Sequence, residues 1–295
     1  MFKHINKNIK KETIDKANIL IEALPYIKKF YNKTVVIKYG GSAMEDSDLR
    51  DKVIQDIVLL KFTGINPVIV HGGGKHINSL LTRLNIKSEF IDGLRVTDKD
   101  TMEVTQMVLA GLINKDIVSH INFNGGKAVG ISGKDGNLLQ GKKISKVKTD
   151  YGFVGQITKI NPNLIKDLEM NNYIPVISPI AFDNKGNSLN INADIAAAEL
   201  ASALNAEKLI ILTDVNGILS DVDDRNSYFQ KLKTKDLVKL KKSGIISKGM
   251  IPKLDSCKKA LERAVKKVHI INGKIPHSIL LELFTEQGIG TEITK

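Results

Sequence analysis

Tryptophan is absent from this chain of 295 residues, aromatic residues make up only 5% of it, and cysteine occurs once, at Cys257. A single cysteine excludes an intramolecular disulfide and suits a reducing compartment. In a helical pattern with Leu254 and Leu261, its thiol is expected to pack inside a core. Scarce aromatics leave few stacking platforms for single-stranded nucleic acid. No apolar run reaches membrane-spanning length and no secretory signal pattern is present. The basic start carries Glu12, Asp15 and Glu22, unlike an acid-poor transit peptide, and is expected to belong to the mature protein. The net charge of +12 comes from lysines scattered through nearly every segment. Nucleic-acid or membrane binding needs such charge gathered on one face, so neither is expected. The abundance of lysine, isoleucine and asparagine resembles translated AT-biased DNA.

What is there begins with two glycine-rich turns, each fed by a strand-like apolar run. Residues 34–41 read Thr-Val-Val-Ile-Lys-Tyr-Gly-Gly, and residues 67–74 read Pro-Val-Ile-Val-His-Gly-Gly-Gly. A β-branched run ending in glycine suits a buried parallel strand whose turn brings bare backbone near a ligand. Amide groups at such a turn, followed by a helix start, attract anions. Lys38 inside the first run is either a lysine snorkelling from a strand end or the partner of a phosphate. Neither a P-loop nor a dinucleotide fingerprint is present.

Strands and helices alternate along the rest. Apolar residues from Ile14 to Ile27 recur at helical spacing, with Pro25 expected to kink or break the helix. Further helices are expected over 46–62, from 75, over 98–123, 193–204, 234–242 and 249–266, and from 276. Strands are expected over 34–38, 68–71, 128–132, 173–178, 208–213 and 268–271, with hairpins between 137 and 159. This order predicts an α/β fold, a three-layer αβα sandwich around a largely parallel sheet, with an added N-terminal helix. The expected division is residues 1–33 as an N-terminal helix, 34–204 as one lobe and 205–295 as a second. The stripe on the first helix must cover either its own body or another subunit.

Five segments then stand in a telling order: Lys38-Tyr39-Gly40-Gly41, His71-Gly72-Gly73-Gly74, Gly93-Leu94-Arg95-Val96-Thr97, Asn190-Ile191-Asn192-Ala193-Asp194 and Gly249-Met250-Ile251-Pro252-Lys253. Together they resemble the amino acid kinase family, and within it the branch that phosphorylates N-acetyl-L-glutamate in arginine biosynthesis. The resemblance runs from about Leu24 to the C-terminus. It implies transfer of the ATP γ-phosphoryl group to the side-chain carboxylate, with Mg²⁺ entering on the nucleotide.

By the same resemblance, Lys38 and Lys253 would flank the transferring phosphoryl and Asp194 would orient both ammonium groups. Gly40, Gly41 and Gly72 would donate N–H bonds to phosphate, and Gly73, Gly74, Arg95 and Asn190 would hold the acceptor. Nucleotide contacts would come from Thr213, Asp214, Asn216, Gly217, Ile218, Leu219, Ile245, Ile246 and Ser247. Plainer readings stay open beside these. Arg95 also suits a surface ion pair with Asp92 or Asp98, Asn190 and Asn192 suit hairpin-end and cap positions, and Asp194 suits a helix dipole. The stretch from Thr213 also suits an ordinary strand–turn. Lys75 and His76 depart from the family, which often has proline and an acidic or amide residue there; Lys75 would hold substrate or face solvent.

The helix bearing Glu22-Ala23-Leu24-Pro25-Tyr26 resembles that of the arginine-inhibited branch, which implies a homohexamer built as a trimer of dimers. His269, Glu282 and Gly288 match its arginine-binding positions. Residues 46–52 resemble cyanobacterial and plastid members, which implies a PII signalling protein as a partner and the chloroplast stroma, or else the cytoplasm, as the compartment. A kinase for another small anion and a non-catalytic arginine sensor are the rival readings.

Overall fold

The computed structural model describes residues 11–146, 149–221, 223–224, 227–243, 246 and 250–295. The helices are α1 Lys11–Phe30, α2 Ser47–Phe62, α3 Gly74–Arg83, α4 Lys99–Gln106, α5 Asn114–Phe123, α6 Asn163–Met170, α7 Ala193–Ala203, α8 Thr234–Ser243, α9 Ile251–Arg263 and α10 Ser278–Phe284. The strands are β1 Thr34–Tyr39, β2 Asn66–His71, β3 Phe90–Ile91, β4 Leu94–Arg95, β5 Ala128–Ser132, β6 Leu139–Lys146, β7 Thr149–Ile160, β8 Ile174–Ser178, β9 Ile180–Phe182, β10 Ser188–Asn190, β11 Lys208–Thr213, β12 Lys231–Lys233, β13 Lys267–Asn272 and β14 Thr291–Thr294.

Eight strands form one sheet in the order β12-β14-β13-β11-β1-β2-β8-β5. Only β13 and β14 pair antiparallel. The centre consists of near-continuous apolar runs, as strands covered on both faces require. Side-chain alternation sorts these runs into two cores. Val36, Val68, Leu209 and Val268 pack on one face with α7 and α9 residues such as Ala197, Leu254 and Leu261. Val35, Ile37, Ile69 and Ile210 pack on the other with Ile54, Ile57 and Ile117. β11 pairs directly with β1, so the sheet and both cores run across residue 205. Beside the sheet, β6, β7, β9 and β10 close on one another as a small barrel.

Two expectations change. The helix expected over 98–123 is α4 and α5 joined by a π-helical stretch, Met107–Ile113. α1 runs unbroken through Pro25, which is exposed, so water can take the carbonyl that proline leaves without a donor. Ile14, Leu20 and Ile21 on that helix are 51%, 72% and 67% exposed, whereas Phe30 at its end is 1% exposed. The stripe therefore leaves its own body over most of its length. The short edge strands β12 and β14 carry no long apolar run to announce them.

Cys257 lies in the core, and burial raises its thiol to about 12. The native protein is expected to resist an aromatic disulfide reagent and to react fully once denatured; rapid native labelling would contradict this packing.

Candidate functional site

Alternation along β1 decides which side chains meet. Lys38 stands two residues after Val36, so it projects to the face covered by α7 and α9. At the carboxyl ends of the parallel strands it meets the first turns of both helices. Its Nζ lies 3.2 Å from Asp194 Oδ1, and Lys253 Nζ lies 2.6 Å from Asp194 Oδ2. Burial alone would raise the Asp194 carboxyl, but the Lys38 and Lys253 ammonium groups outweigh it and hold it at about 2. Two cations share one carboxylate, which leaves the cluster net positive. Crevices at the carboxyl ends of such sheets are where α/β folds bind ligands.

Both glycine turns close on this cluster. Gly41 has φ +74°, a left-handed conformation that a β-carbon disfavours, and Ser42 N–H beside it donates to Asp214 Oδ1 at 2.9 Å. The Gly40–Gly41 turn after β1 is thereby tied to the end of β11. In the second turn, a β-carbon on Gly73 would come 2.3 Å from Ile113 Cδ1 and 2.6 Å from Leu109 Cδ2, so a larger residue there would displace those side chains. Gly72 corrects an expectation: its N–H donates to the Tyr39 carbonyl at 2.8 Å and prolongs the β1–β2 ladder. Donors free for an anion begin beyond it, at the start of α3, where first-turn amides have no helical acceptor.

A cavity of about 180 Å³ opens beside this turn, lined by Gly73, Gly74, Arg95, Leu109, Asn190 and Ala193 among others. Arg95 is 7% exposed, which rules out the surface ion-pair reading. Its Nη1 donates to Asn78 Oδ1 at 2.6 Å and to Ser88 Oγ, and its Nη2 donates to the Gly74 carbonyl at 3.1 Å. These neutral acceptors aim the guanidinium while leaving its charge for a carboxylate. Asn190 donates to Thr97 Oγ1 at 3.1 Å. Asn192 is the cap of α7, its Oδ1 accepting from the N–H groups of Asp194 and Ile195 at 2.9 and 3.2 Å. Lys75 is exposed and pairs with Glu45 at 2.6 Å.

The turn after β11 is fastened at each step. Thr213 Oγ1 donates to the Val215 carbonyl, Asn216 Oδ1 accepts from Asn272 Nδ2, and Ile218 N–H donates to Thr291 Oγ1. Gly217 lies against the same threonine, and Leu219 bridges to Tyr228. Ile218 and Ile246 are buried core residues. Ile245, Ser247 and Gly249 lie outside the described residues. A second cavity, of about 160 Å³, brings together His269, Glu282 and Gly288 with Tyr26 and Lys29 of α1 and with Lys208. His269 Nδ1 lies 2.5 Å from Glu282 Oε1. Burial lowers Lys208 to about 8, against the opposing pull of Glu282 and Glu292.

The model of the amino acid kinase family matches residues 33–272. The chain belongs to that family. It is 55% identical over 293 residues to the acetylglutamate kinase of Heliobacterium modesticaldum, a match covering 96% of this chain and 99% of that protein. The acetylglutamate kinase of Methanocaldococcus jannaschii is 53% identical, with 96% and 98% covered. Among solved structures, N-acetylglutamate synthase from Neisseria gonorrhoeae complexed with coenzyme A and N-acetyl-glutamate has a TM-score of 0.84 at 29% identity. That match covers 95% of this chain and 63% of the synthase. The same enzyme with coenzyme A and L-arginine has a TM-score of 0.81 at 27% identity, covering 95% of this chain and 65% of the synthase.

Residues behind the site escape a reading of the sequence. Asn78 and Ser88 hold Arg95 but belong to no motif, and their spacing carries no period; Thr97, which holds Asn190, closes the motif of residues 93–97 without its partner being legible there. Asn114 is the exception in kind: an amide directly after the apolar Leu112-Ile113 in a long helix is a signal, though its partner is invisible without the fold.

The depressed Asp194 carboxyl fixes a sign for acid stability. A folded value near 2 against an ordinary 3.8 means that the pairing contributes fully above about pH 4 and is lost as pH falls towards 2. In acid unfolding monitored by circular dichroism, Asp194→Asn is expected to lose this limb of the profile. An unchanged midpoint and steepness would contradict the pairing.

Proposed function

We propose that this amino acid kinase transfers the γ-phosphoryl group of ATP to the side-chain carboxylate of N-acetyl-L-glutamate, forming an acyl phosphate within arginine biosynthesis. The observation that carries the reading is the sharing of Asp194 by Lys38 and Lys253. Both reactants are anions, so the main barrier is their repulsion. The acceptor carboxylate is already ionised near neutral pH and needs no general base. Positioning and electrostatic stabilisation of the equatorial oxygens are then the whole task.

In this reading Lys38 and Lys253 meet the transferring group from two parts of the chain, and Gly40 and Gly41 give it backbone amides. Gly73, Gly74 and Asn190 hold the acceptor while Arg95 takes its α-carboxylate. The turn from Thr213 to Leu219, with Ile245, Ile246 and Ser247, holds the nucleotide, so residues 34–204 serve the acceptor and 205–295 the donor. Among the described residues no group of three His, Cys, Asp or Glu side chains is arranged to hold a metal ion, and Asp194 is engaged by two lysines. Such a donor set suits Mg²⁺ carried in on phosphate oxygens, where it supplies further charge neutralisation.

The second cavity supports feedback inhibition by L-arginine. Its carboxylates, Glu282 and Glu292, suit a guanidinium, and α1 contributes to its wall. The exposed stripe of α1 supports assembly through this helix into a hexamer. The bacterial and archaeal relatives lend no support to a PII partner or a chloroplast home, so we place the protein in the cytoplasm.

Two assays test these statements. With ATP and N-acetylglutamate, hydroxylamine should trap an acyl phosphate, and Lys38→Ala should lower kcat by roughly 10²–10³-fold, as loss of one preorganised charge does. Preference for aspartate, carbamate or UMP would select the rival kinase, and normal turnover by the variant would refute the role of Lys38. Arginine should inhibit the wild type and act far more weakly on Glu282→Gln; a rate indifferent to arginine would overturn the regulatory reading.

A further inference from the structure

The second glycine turn is held from behind by side chains that the proposed chemistry does not use. His71, the last residue of β2, is fully buried, and burial lowers its imidazole to about 4, so the ring is neutral near neutral pH. A neutral imidazole has one N–H, and its partners decide which nitrogen carries it. Nδ1 lies 2.9 Å from the Gly72 carbonyl, which can only accept. Nδ1 therefore holds the proton and Nε2 holds the lone pair. Facing that lone pair at 3.2 Å is the amide nitrogen of Asn114, a donor.

Asn114 is itself over-determined. Its second amide proton meets the Val176 carbonyl at 3.0 Å, and its Oδ1 accepts from Lys115 Nζ at 3.1 Å. Room for it exists because residue 130 is glycine: a β-carbon there would lie 1.9 Å from Asn114 Oδ1. Asn114 begins α5 directly after the π-helical stretch, whose Leu109 and Ile113 press beneath Gly73. π turns inside helices often sit at functional sites.

The consequence follows from covalent geometry. A trans peptide points its C=O and its N–H in opposite directions. With the Gly72 carbonyl drawn inward to His71, the N–H of Gly73 in the same peptide unit points away from His71, and Gly72, Gly73 and Gly74 all line the cavity.

From this geometry we infer that Asn114 is a positioning residue acting through His71: it selects the Nδ1–H tautomer and so aims the Gly72–Gly73 peptide at the reacting anions. The inference rests on the phosphoryl-transfer reading for what those anions are, but not for the tautomer itself. Asn114→Asp replaces the donor facing Nε2 with an acceptor, at nearly the same size.

Two measurements test it. Long-range ¹H–¹⁵N correlation spectra of the histidine-labelled wild type, with His71 assigned by its loss in His71→Gln, should show the Nδ1–H tautomer near neutral pH. The Nε2–H tautomer or an imidazolium would overturn the inference, whatever the reaction proves to be. In kinetics, Asn114→Asp should lower kcat about 10–100-fold, by analogy with the scale seen when the outer partner of a metal-bound imidazole is lost. ATP affinity should stay unchanged. A normal kcat, or equal losses in ATP affinity and kcat, would overturn it. Should the variant fail to fold, the wild-type spectrum still decides. A wild type that makes no acyl phosphate refutes the functional reading alone.

Discussion

One carboxylate holding two ammonium groups is the interaction on which the rest of this site depends. Asp194 draws Lys38 from the centre of the sheet and Lys253 from the start of α9 to within 3.2 and 2.6 Å. Without the carboxylate, two like charges would face each other in a half-buried pocket and separate. With it, they stay close and still present a net positive field. A reaction between two anions needs that field in place before either reactant arrives, since reorganising charges during the reaction adds to its barrier.

Around that cluster the backbone is as important as the side chains. The turn after β1 is pinned by Asp214, and the turn after β2 by the Tyr39 carbonyl on one side and His71 on the other. Leu109 and Ile113 fill the space beneath Gly73. Each turn is thus set by contacts from distant parts of the chain, which is what keeps bare amides aimed rather than collapsed on themselves. The second cavity follows the same logic at a different edge. His269 from β13, Glu282 from α10 and Lys208 from β11 meet there beneath the end of α1. Tyr26 and Lys29 of α1, the helix whose apolar stripe is exposed, line the wall of that cavity.

Much of this was legible in advance. The apolar runs at 34–38, 128–132 and 208–213 carry enough β-branched residues to declare buried strands, and their alternation with amphipathic helices implies parallel pairing. The five ordered motifs pointed to Lys38, Arg95, Asn190, Asp194 and Lys253 before any geometry was known. Less legible were features set by compensation at a distance. Pro25 reads as a breaker, yet an exposed carbonyl that water can satisfy lets α1 continue. The 98–123 pattern reads as one helix, because an extra residue in a turn leaves the apolar period nearly intact. Gly72 reads as an anion-binding amide, but a neighbouring strand claims its N–H.

The sequence by itself determined the central strands and most helices, the parallel character of the buried strands and the residues carrying charge into the site, because these follow from local periodicity and from which side chains tolerate burial. The tertiary structure alone decided that neutral acceptors aim Arg95 and that Asn114 reaches His71, and it set the distances at which Lys38 and Lys253 share Asp194. Those pairings join residues far apart in the chain. Their geometry depends on strand register and helix placement, which many weak contacts fix together and no short stretch of residues encodes.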